Sequence, residues 1–119
     1  KMHIPISAIE KISILLRQNQ LSKPYKARLL QENKAALSLT VILEEYIDCF
    51  KFSKIKELDL DQVSIFLNFA DLKIIEREIK DCIRLEDELS ILTGYSLSEI
   101  NKAYEEIKSI LNFKKSSSS

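Results

Sequence analysis

Glycine and proline are scarce in this sequence. It has one glycine, Gly94, and two prolines, Pro5 and Pro24, where an average chain of this length would have about fourteen of the two together. Folds built from many short strands need these residues at their turns. A composition of 45% hydrophobic and 30% charged residues suits amphipathic helices, which bury one face and solvate the other. We therefore predict an all-α fold.

Histidine and cysteine are also rare. The one histidine, His3, is expected in a frayed terminus, so no Ser/His, Cys/His or multi-histidine metal arrangement can be assembled within the chain. Along a helical hairpin the two thiols, Cys49 and Cys82, would lie about 30 Å apart, whereas disulfide-bonded Cα atoms lie within about 7 Å. We predict two buried free thiols, no catalytic residue, no cofactor and no metal.

A net charge of either sign is absent, because 18 basic residues balance 18 acidic ones. A general attraction to nucleic acid or to an anionic membrane is therefore not expected. No apolar run approaches the roughly 18 residues of a membrane span, and the first residues lack the basic-then-apolar order of a secretory signal. We expect a cytoplasmic protein with one domain over residues 1–115 and a serine tail or linker over residues 116–119.

Two helices are predicted in the first half of the chain. Ser7 and Glu10 have the spacing of a capping box, so a first helix should run from about residue 8 to residue 19 with one apolar stripe. Pro24 favours the start of a second helix. That helix meets no breaker until about Phe50. Its apolar seam predicts bundle packing, and the seam residues are Tyr25, Leu29, Ala36, Leu39, Leu43, Tyr46 and Phe50.

Two more helices are predicted in the second half. Residues 59–62 repeat the capping box, so a third helix should start there and continue to Thr93, where Gly94 closes it. Residues 96–99 repeat the box again for a fourth helix, which ends before Lys114. The predicted fold is an antiparallel bundle of four helices in which the second and third form a long central hairpin.

The predicted helix lengths do not match. The second and third helices would be about 40 and 50 Å long, but the first and fourth only about 20–25 Å, so the apolar hairpin end at residues 37–69 lacks cover. In one alternative the third helix breaks near residues 68–71, with residues 60–69 folding back as a fifth helix and Asp71 capping the restart. In the other, the hairpin end pairs with a second copy or a partner's helix. The two alternatives are compatible.

This hairpin end carries the leading functional hypothesis. It is a non-enzymatic protein-protein interaction module, an adaptor or regulatory protein, that forms a homo-oligomer or binds a partner helix. The candidate partner-binding residues are Leu39, Leu43, Tyr46, Phe50, Ile65, Phe66 and Phe69.

A basic ridge on the third predicted helix carries a second hypothesis. Its residues stand at steps of four, three and four, and they are Lys73, Arg77, Lys80 and Arg84. Such a ridge could bind phosphates in a small nucleic-acid-binding regulator, but Glu76 and Asp81 are placed to pair with Lys80 and Arg77. A third hypothesis is an accessory domain of an enzyme on another chain. Neither the capping boxes nor the apolar seams identify a protein family.

Acidic residues recur in two clusters, at Glu44, Glu45 and Asp48 and at residues 86–88. We expect both clusters on solvated helix surfaces, because acidic residues usually stay exposed. Glu32 interrupts the seam of the second helix, and the hairpin register predicts Lys80 as its neighbour.

Overall fold

The computed structural model describes residues 2–53, 62–82 and 86–117. These residues form two short strands and six helices, which are β1 (Met2–Pro5), α1 (Ile6–Leu21), α2 (Tyr25–Arg28), α3 (Gln31–Ser53), β2 (Gln62–Ile65), α4 (Phe69–Cys82), α5 (Glu86–Thr93) and α6 (Leu97–Ser117). The predicted all-α class is confirmed, because the fold is mostly helical and four main helices pack together. In the described ranges, no helix is both long and apolar enough to cross a membrane.

Helix α1 is central to the bundle and packs against α3, α4, α5 and α6. Its buried apolar side chains recur at short helical spacing, and they are Ala8, Ile9, Ile12, Leu15 and Leu16. The first predicted helix is thus confirmed, but it starts earlier, at Ile6. Ser7 lies inside its first turn, and the N-cap residue Pro5 offers no side-chain hydrogen bond. The capping box predicted for Ser7 and Glu10 is therefore wrong.

The second predicted helix is divided into two. Pro24 directly precedes α2, as its fixed φ favours, but α2 ends at Arg28 and α3 begins at Gln31. Tyr25 and Leu29 precede α3 and are exposed, although the predicted seam included both. Along α3 the predicted seam residues Ala36, Leu39 and Leu43 are buried, whereas Tyr46 and Phe50 are half-buried. Ile47, which lies outside the predicted seam, is buried in addition.

Residues 62–65 form a strand rather than the start of a helix. Strand β2 pairs antiparallel with β1, placing Met2 opposite Ile65 and Ile4 opposite Val63. These four side chains are buried, while the residues between them are not, which is the alternation of a strand with one buried face. The fifth helix predicted over residues 60–69 is therefore wrong, as is a continuous third helix.

The predicted break near residues 68–71 is confirmed, and a capping box marks the restart. The Asn68 side-chain oxygen accepts a hydrogen bond from the Asp71 N–H at 2.9 Å, and the Asp71 carboxylate accepts one from the Asn68 N–H at 3.0 Å. Asn68 thus caps α4, with the expected cap Asp71 as its reciprocal partner. The box predicted at residues 59–62 starts no helix, because Gln62 lies in β2; residues 59–61 are outside the described ranges.

Replacing Asn68 with alanine should destabilise the fold by about 1 kcal/mol, because the Asp71 N–H loses its acceptor at the helix start. Chemical denaturation measures this loss. Asn101 provides a matched control, since it is exposed within α6 and its replacement by alanine removes no cap. Equal stability of Asn68→Ala and Asn101→Ala would contradict the capping role.

Local signals at the last helices are confirmed. Gly94 has a φ of 77°, and its N–H donates to the Ser90 carbonyl at 3.0 Å after the end of α5. The Ser96 hydroxyl accepts from the Glu99 N–H at 3.2 Å, and the Glu99 carboxylate accepts from the Ser96 N–H at 3.3 Å. Helix α6 continues to Ser117, past its predicted end. The segment of the third predicted helix at residues 83–85 is outside the described ranges.

Candidate functional site

The seven predicted partner-binding residues divide into two groups. Leu39, Leu43 and Ile65 are buried in the core of the chain itself, with 4%, 0% and 0% of their surface exposed. Both α1 and β2 pack against α3, so the strand pair supplies part of the cover that the hairpin end required. These three side chains face the core rather than a free surface.

The other four residues, Tyr46, Phe50, Phe66 and Phe69, lie at the edge of that core and are termed the aromatic patch. The Tyr46 hydroxyl accepts a hydrogen bond from the Phe66 N–H at 3.4 Å, which joins α3 to the end of β2. Tyr46 and Phe50 are one turn apart on α3 and are half-buried. Phe66 is 62% exposed, and Phe69, at the start of α4, is 39% exposed. The patch is therefore apolar surface beside a closed core.

The predicted basic ridge has acidic partners. The Arg77 guanidinium donates to the Glu32 carbonyl at 2.7 Å and lies 3.7 Å from the Glu32 carboxylate. Lys80 pairs with Glu76 at 3.0 Å, as its helical spacing predicts. The expected pair of Arg77 with Asp81 and the expected pair of Glu32 with Lys80 are both replaced by the contact of Arg77 with Glu32. Glu32 thus contacts Arg77, about one turn of α4 before the Lys80 that the hairpin register predicted.

The remaining ridge residues are Lys73 and Arg84. Lys73 is exposed on α4, and Arg84 is outside the described ranges. Of the three ridge residues that the structure describes, Arg77 and Lys80 thus have acidic neighbours. Part of the positive charge of the ridge is already compensated within the chain.

The acidic cluster on α3 is largely solvated. Glu45 and Asp48 are exposed, and Glu44 accepts a hydrogen bond from the Arg17 Nε at 2.6 Å. The side chains of residues 86–88 are not among those described. Among the described residues, no three histidine, cysteine or acidic side chains are arranged to hold a metal ion.

The two thiols are free but differ in burial, and His3 is ordered. Cys82 is buried as predicted, whereas Cys49 is exposed because it lies on the outer side of α3. Burial raises the pKa of the Cys82 thiol to about 12, which keeps it protonated and unreactive. His3 lies in β1 opposite Ser64 rather than in a frayed terminus.

A cluster of buried polar side chains, which the sequence patterns did not indicate, lies at the C-terminal end of α1. Glu78 of α4 is only 2% exposed, and its two carboxylate oxygens accept hydrogen bonds from the side-chain amides of Asn19 and Gln20. Gln20 is fully buried and also donates to the Asn33 Oδ1 at 3.1 Å. These hydrogen bonds connect α1, α3 and α4.

Burial raises the pKa of Glu78 above its ordinary value. Hydrogen bonds from Gln20 and Asn19 and the positive charge of Lys23 act in the opposite direction, because each favours the charged carboxylate. Desolvation is the largest of these effects, so Glu78 holds its proton to a higher pH than an exposed glutamate does.

Two members of this cluster, Asn33 and Glu78, also line an open cleft of about 270 Å³, termed the polar cleft. Charged and amide side chains line it, and they are Lys23, Glu32, Asn33, Arg77, Glu78, Lys80 and Asp81. The Lys23 ammonium lies 2.6 Å from the Asp81 carboxylate and donates to the Asn33 Oδ1 at 3.2 Å. The polar cleft and the aromatic patch lie near opposite ends of α3, so the molecule presents two separate candidate sites.

Comparison of the sequence with models of known protein families, with curated proteins and with solved structures finds no match. The candidate functional sites are therefore two surfaces of the molecule, the aromatic patch and the polar cleft. One is apolar and aromatic, and the other is charged and concave.

Proposed function

We propose that this protein is a non-enzymatic helical interaction module that binds its partner through the aromatic patch. The supporting observation is the exposure of Phe66 (62%) and Phe69 (39%) directly beside the core. Grouped apolar side chains on a surface are typical of interaction sites, and aromatic residues are enriched among those that contribute most to binding.

The partner that suits this surface is the apolar face of a helix, from a second copy of the chain or from another protein. The hydrogen bond from the Phe66 N–H holds the Tyr46 side chain in place, so ordering that ring on binding costs little further entropy. Asn68 and Asp71 lie beside Phe69 and supply polar atoms of the kind that surround an interface core.

We also propose that the protein is cytoplasmic. Cys49 and Cys82 are both free thiols, and exposed thiols such as Cys49 persist in the reducing conditions of that compartment.

Replacing Phe66 with aspartate should abolish partner binding while the protein stays folded, because the change puts a charge at the centre of the apolar contact. Size-exclusion chromatography with light scattering over a range of concentrations detects self-association, and affinity capture with the tagged protein detects another partner. We expect Phe66→Asp to reduce the association by about tenfold or more, corresponding to at least 1.4 kcal/mol.

Leu30→Asp is the matched control. Leu30 is 55% exposed and directly precedes α3, so it lies about 24 Å along that helix from Tyr46 and Phe66. This variant should keep the partner that Phe66→Asp loses. A wild-type protein that is monomeric at all concentrations, and whose captured proteins are the same with both variants, would contradict the proposal.

A further inference from the structure

Glu78 differs from the other charged residues of the polar cleft because it is almost wholly buried. Glu32 pairs with Arg77, and Asp81 pairs with Lys23, but among the described residues no cation forms an ion pair with Glu78. Lys23 influences it only through its charge at longer range. A buried carboxylate is costly unless a positive charge compensates it. Glu78, which also lines the cleft, is thus the charged group that a cationic group of a ligand would stabilise most.

The Gln20 side chain, which donates to Glu78, holds a second buried acceptor. The Gln20 Oε1 is buried without a hydrogen-bond partner among the described residues. The orientation of this amide is fixed, because its Nε2 donates to two acceptors, the Asn33 Oδ1 and the Glu78 carboxylate, and a reversed amide would place oxygen against oxygen. An acceptor left without a donor in the interior is costly. Gln20 does not itself line the cleft, so the group that calls for a donor from a ligand there is Glu78.

At the rim of the cleft, three cations outnumber two carboxylates: Lys23, Arg77 and Lys80 against Glu32 and Asp81. The Arg77 and Lys80 side chains are 43% and 71% exposed, and the Lys23 side chain is 23% exposed. A guanidinium has five N–H donors, and the contacts of Arg77 with Glu32 engage only two of its nitrogens. The cleft therefore places a carboxylate at its base and cations at its mouth, a polarity that suits a ligand with an ammonium at one end and a carboxylate at the other.

We propose that the polar cleft binds a small zwitterion of the free α-amino acid class. The ligand ammonium lies on the Glu78 carboxylate, and the ligand carboxylate lies on Arg77 and Lys80. A simple cation would be repelled by the rim, and a simple anion by Glu78. The volume of about 270 Å³ accommodates a ligand of this size. This site is distinct from the aromatic patch, since Asn33 and Tyr46 lie about 20 Å apart along α3 and Glu78 and Phe69 about 14 Å apart along α4.

The proposal is tested by titrating ¹⁵N-labelled protein with a panel of free amino acids, up to about 10 mM, a range that detects the millimolar affinities expected of such small ligands. Backbone amide shifts should concentrate at residues 19–33 and 77–81. Methylammonium and acetate, which each carry one of the two charges, should bind at least about tenfold more weakly than the best amino acid. Binding should also weaken as the pH falls and Glu78 becomes protonated.

Two variants complete the test. Glu78→Gln removes the buried charge with little change of shape and should weaken amino acid binding by about tenfold or more. Glu45→Gln is the matched control, because Glu45 is exposed and lies about 18 Å along α3 from Asn33; it should bind as the wild type does. The spectra themselves report whether each variant is folded. Absence of shifts with every amino acid, equal binding by folded Glu78→Gln, or equal binding of methylammonium or acetate would each overturn the proposal.

Discussion

Truncating Leu43 to alanine is expected to lower the free energy of unfolding by about 3 kcal/mol, within the range of 2–5 kcal/mol typical of buried leucines. Leu43 is 0% exposed and belongs to the core cluster that α1, α3 and the strand pair share. The substitution removes apolar contacts and leaves a cavity that close-packed neighbours fill only in part. Urea denaturation, with the midpoint and the slope both fitted, measures the loss.

The control for this prediction is Leu30→Ala, the same substitution at a residue that is 55% exposed. It should change stability by no more than about 0.5 kcal/mol, as surface substitutions usually do. The pair separates two interpretations of Leu43, which the sequence places among the partner-binding candidates. A small effect of Leu43→Ala on the isolated protein would mean that this residue serves a partner rather than the core.

Replacing Glu78 with alanine should produce the other large effect. The change removes the carboxylate that accepts one hydrogen bond from each of the Asn19 and Gln20 amides, and each unsatisfied buried donor costs about 1–3 kcal/mol. Glu78→Gln should cost less, because its side-chain oxygen can still accept the hydrogen bond from the Gln20 amide. If both variants are equally stable, the hydrogen bonds of Glu78 do not hold α1 to α4.

Glu78 should also give the stability a characteristic pH dependence. Burial raises its pKa above the ordinary 4.5, so as the pH rises the unfolded protein releases this proton before the folded protein does. The folded state then binds more protons, and the free energy of unfolding falls with rising pH until the pKa of the folded state is passed. Stability conferred by Glu78 is therefore complete below about pH 4.5 and declines above it.

Glu78→Gln provides the comparison for this pH effect, because glutamine does not titrate. Denaturation of both proteins between about pH 4 and pH 8 should show the variant gaining stability relative to the wild type as the pH increases. Taking the difference removes the contributions of groups that titrate alike in the two proteins. A difference that stays constant, or that changes in the other direction, would show that hydrogen bonds rather than desolvation dominate at Glu78.

The features that could be predicted from the sequence are those set by neighbouring residues. The capping box of Ser96 and Glu99 depends on two side chains three positions apart, and the left-handed conformation of Gly94 depends on that residue alone. The buried steps along α3 follow from helical periodicity in the same way. Fold class depends mostly on such local preferences, and it was therefore predictable.

The strand pair was not predictable, because it depends on residues about 60 positions apart. Residues 62–65 alternate between apolar and polar, but four residues are too few to distinguish this period from the edge of a helix. The pairing with β1 makes these residues a strand, since it buries Ile65 and Val63 against Met2 and Ile4. A nearby capping-box pattern favoured the helix and was overridden by this distant contact.

The aromatic patch was partly predictable, but the polar cleft was not. Phe66 and Phe69 were identified by their apolar character, whereas the burial of Leu43 depends on elements that cover it in space. Glu78 follows Ile75 by three residues and precedes Cys82 by four, which places it on the buried stripe of α4. That spacing is the signal available in the sequence. The spacing does not show what the buried carboxylate contacts, because its partner Gln20 is 58 positions away.

The strand pair also has a consequence for the order in which the protein folds. Helices form in about a microsecond from contacts within a few residues, but joining β1 to β2 requires closure of a loop that contains α1, α2 and α3. Closing so long a loop costs entropy that is recovered only when both strands meet. We therefore expect β1, although it precedes α1 in the sequence, to pair with β2 late in folding, after α1 has docked.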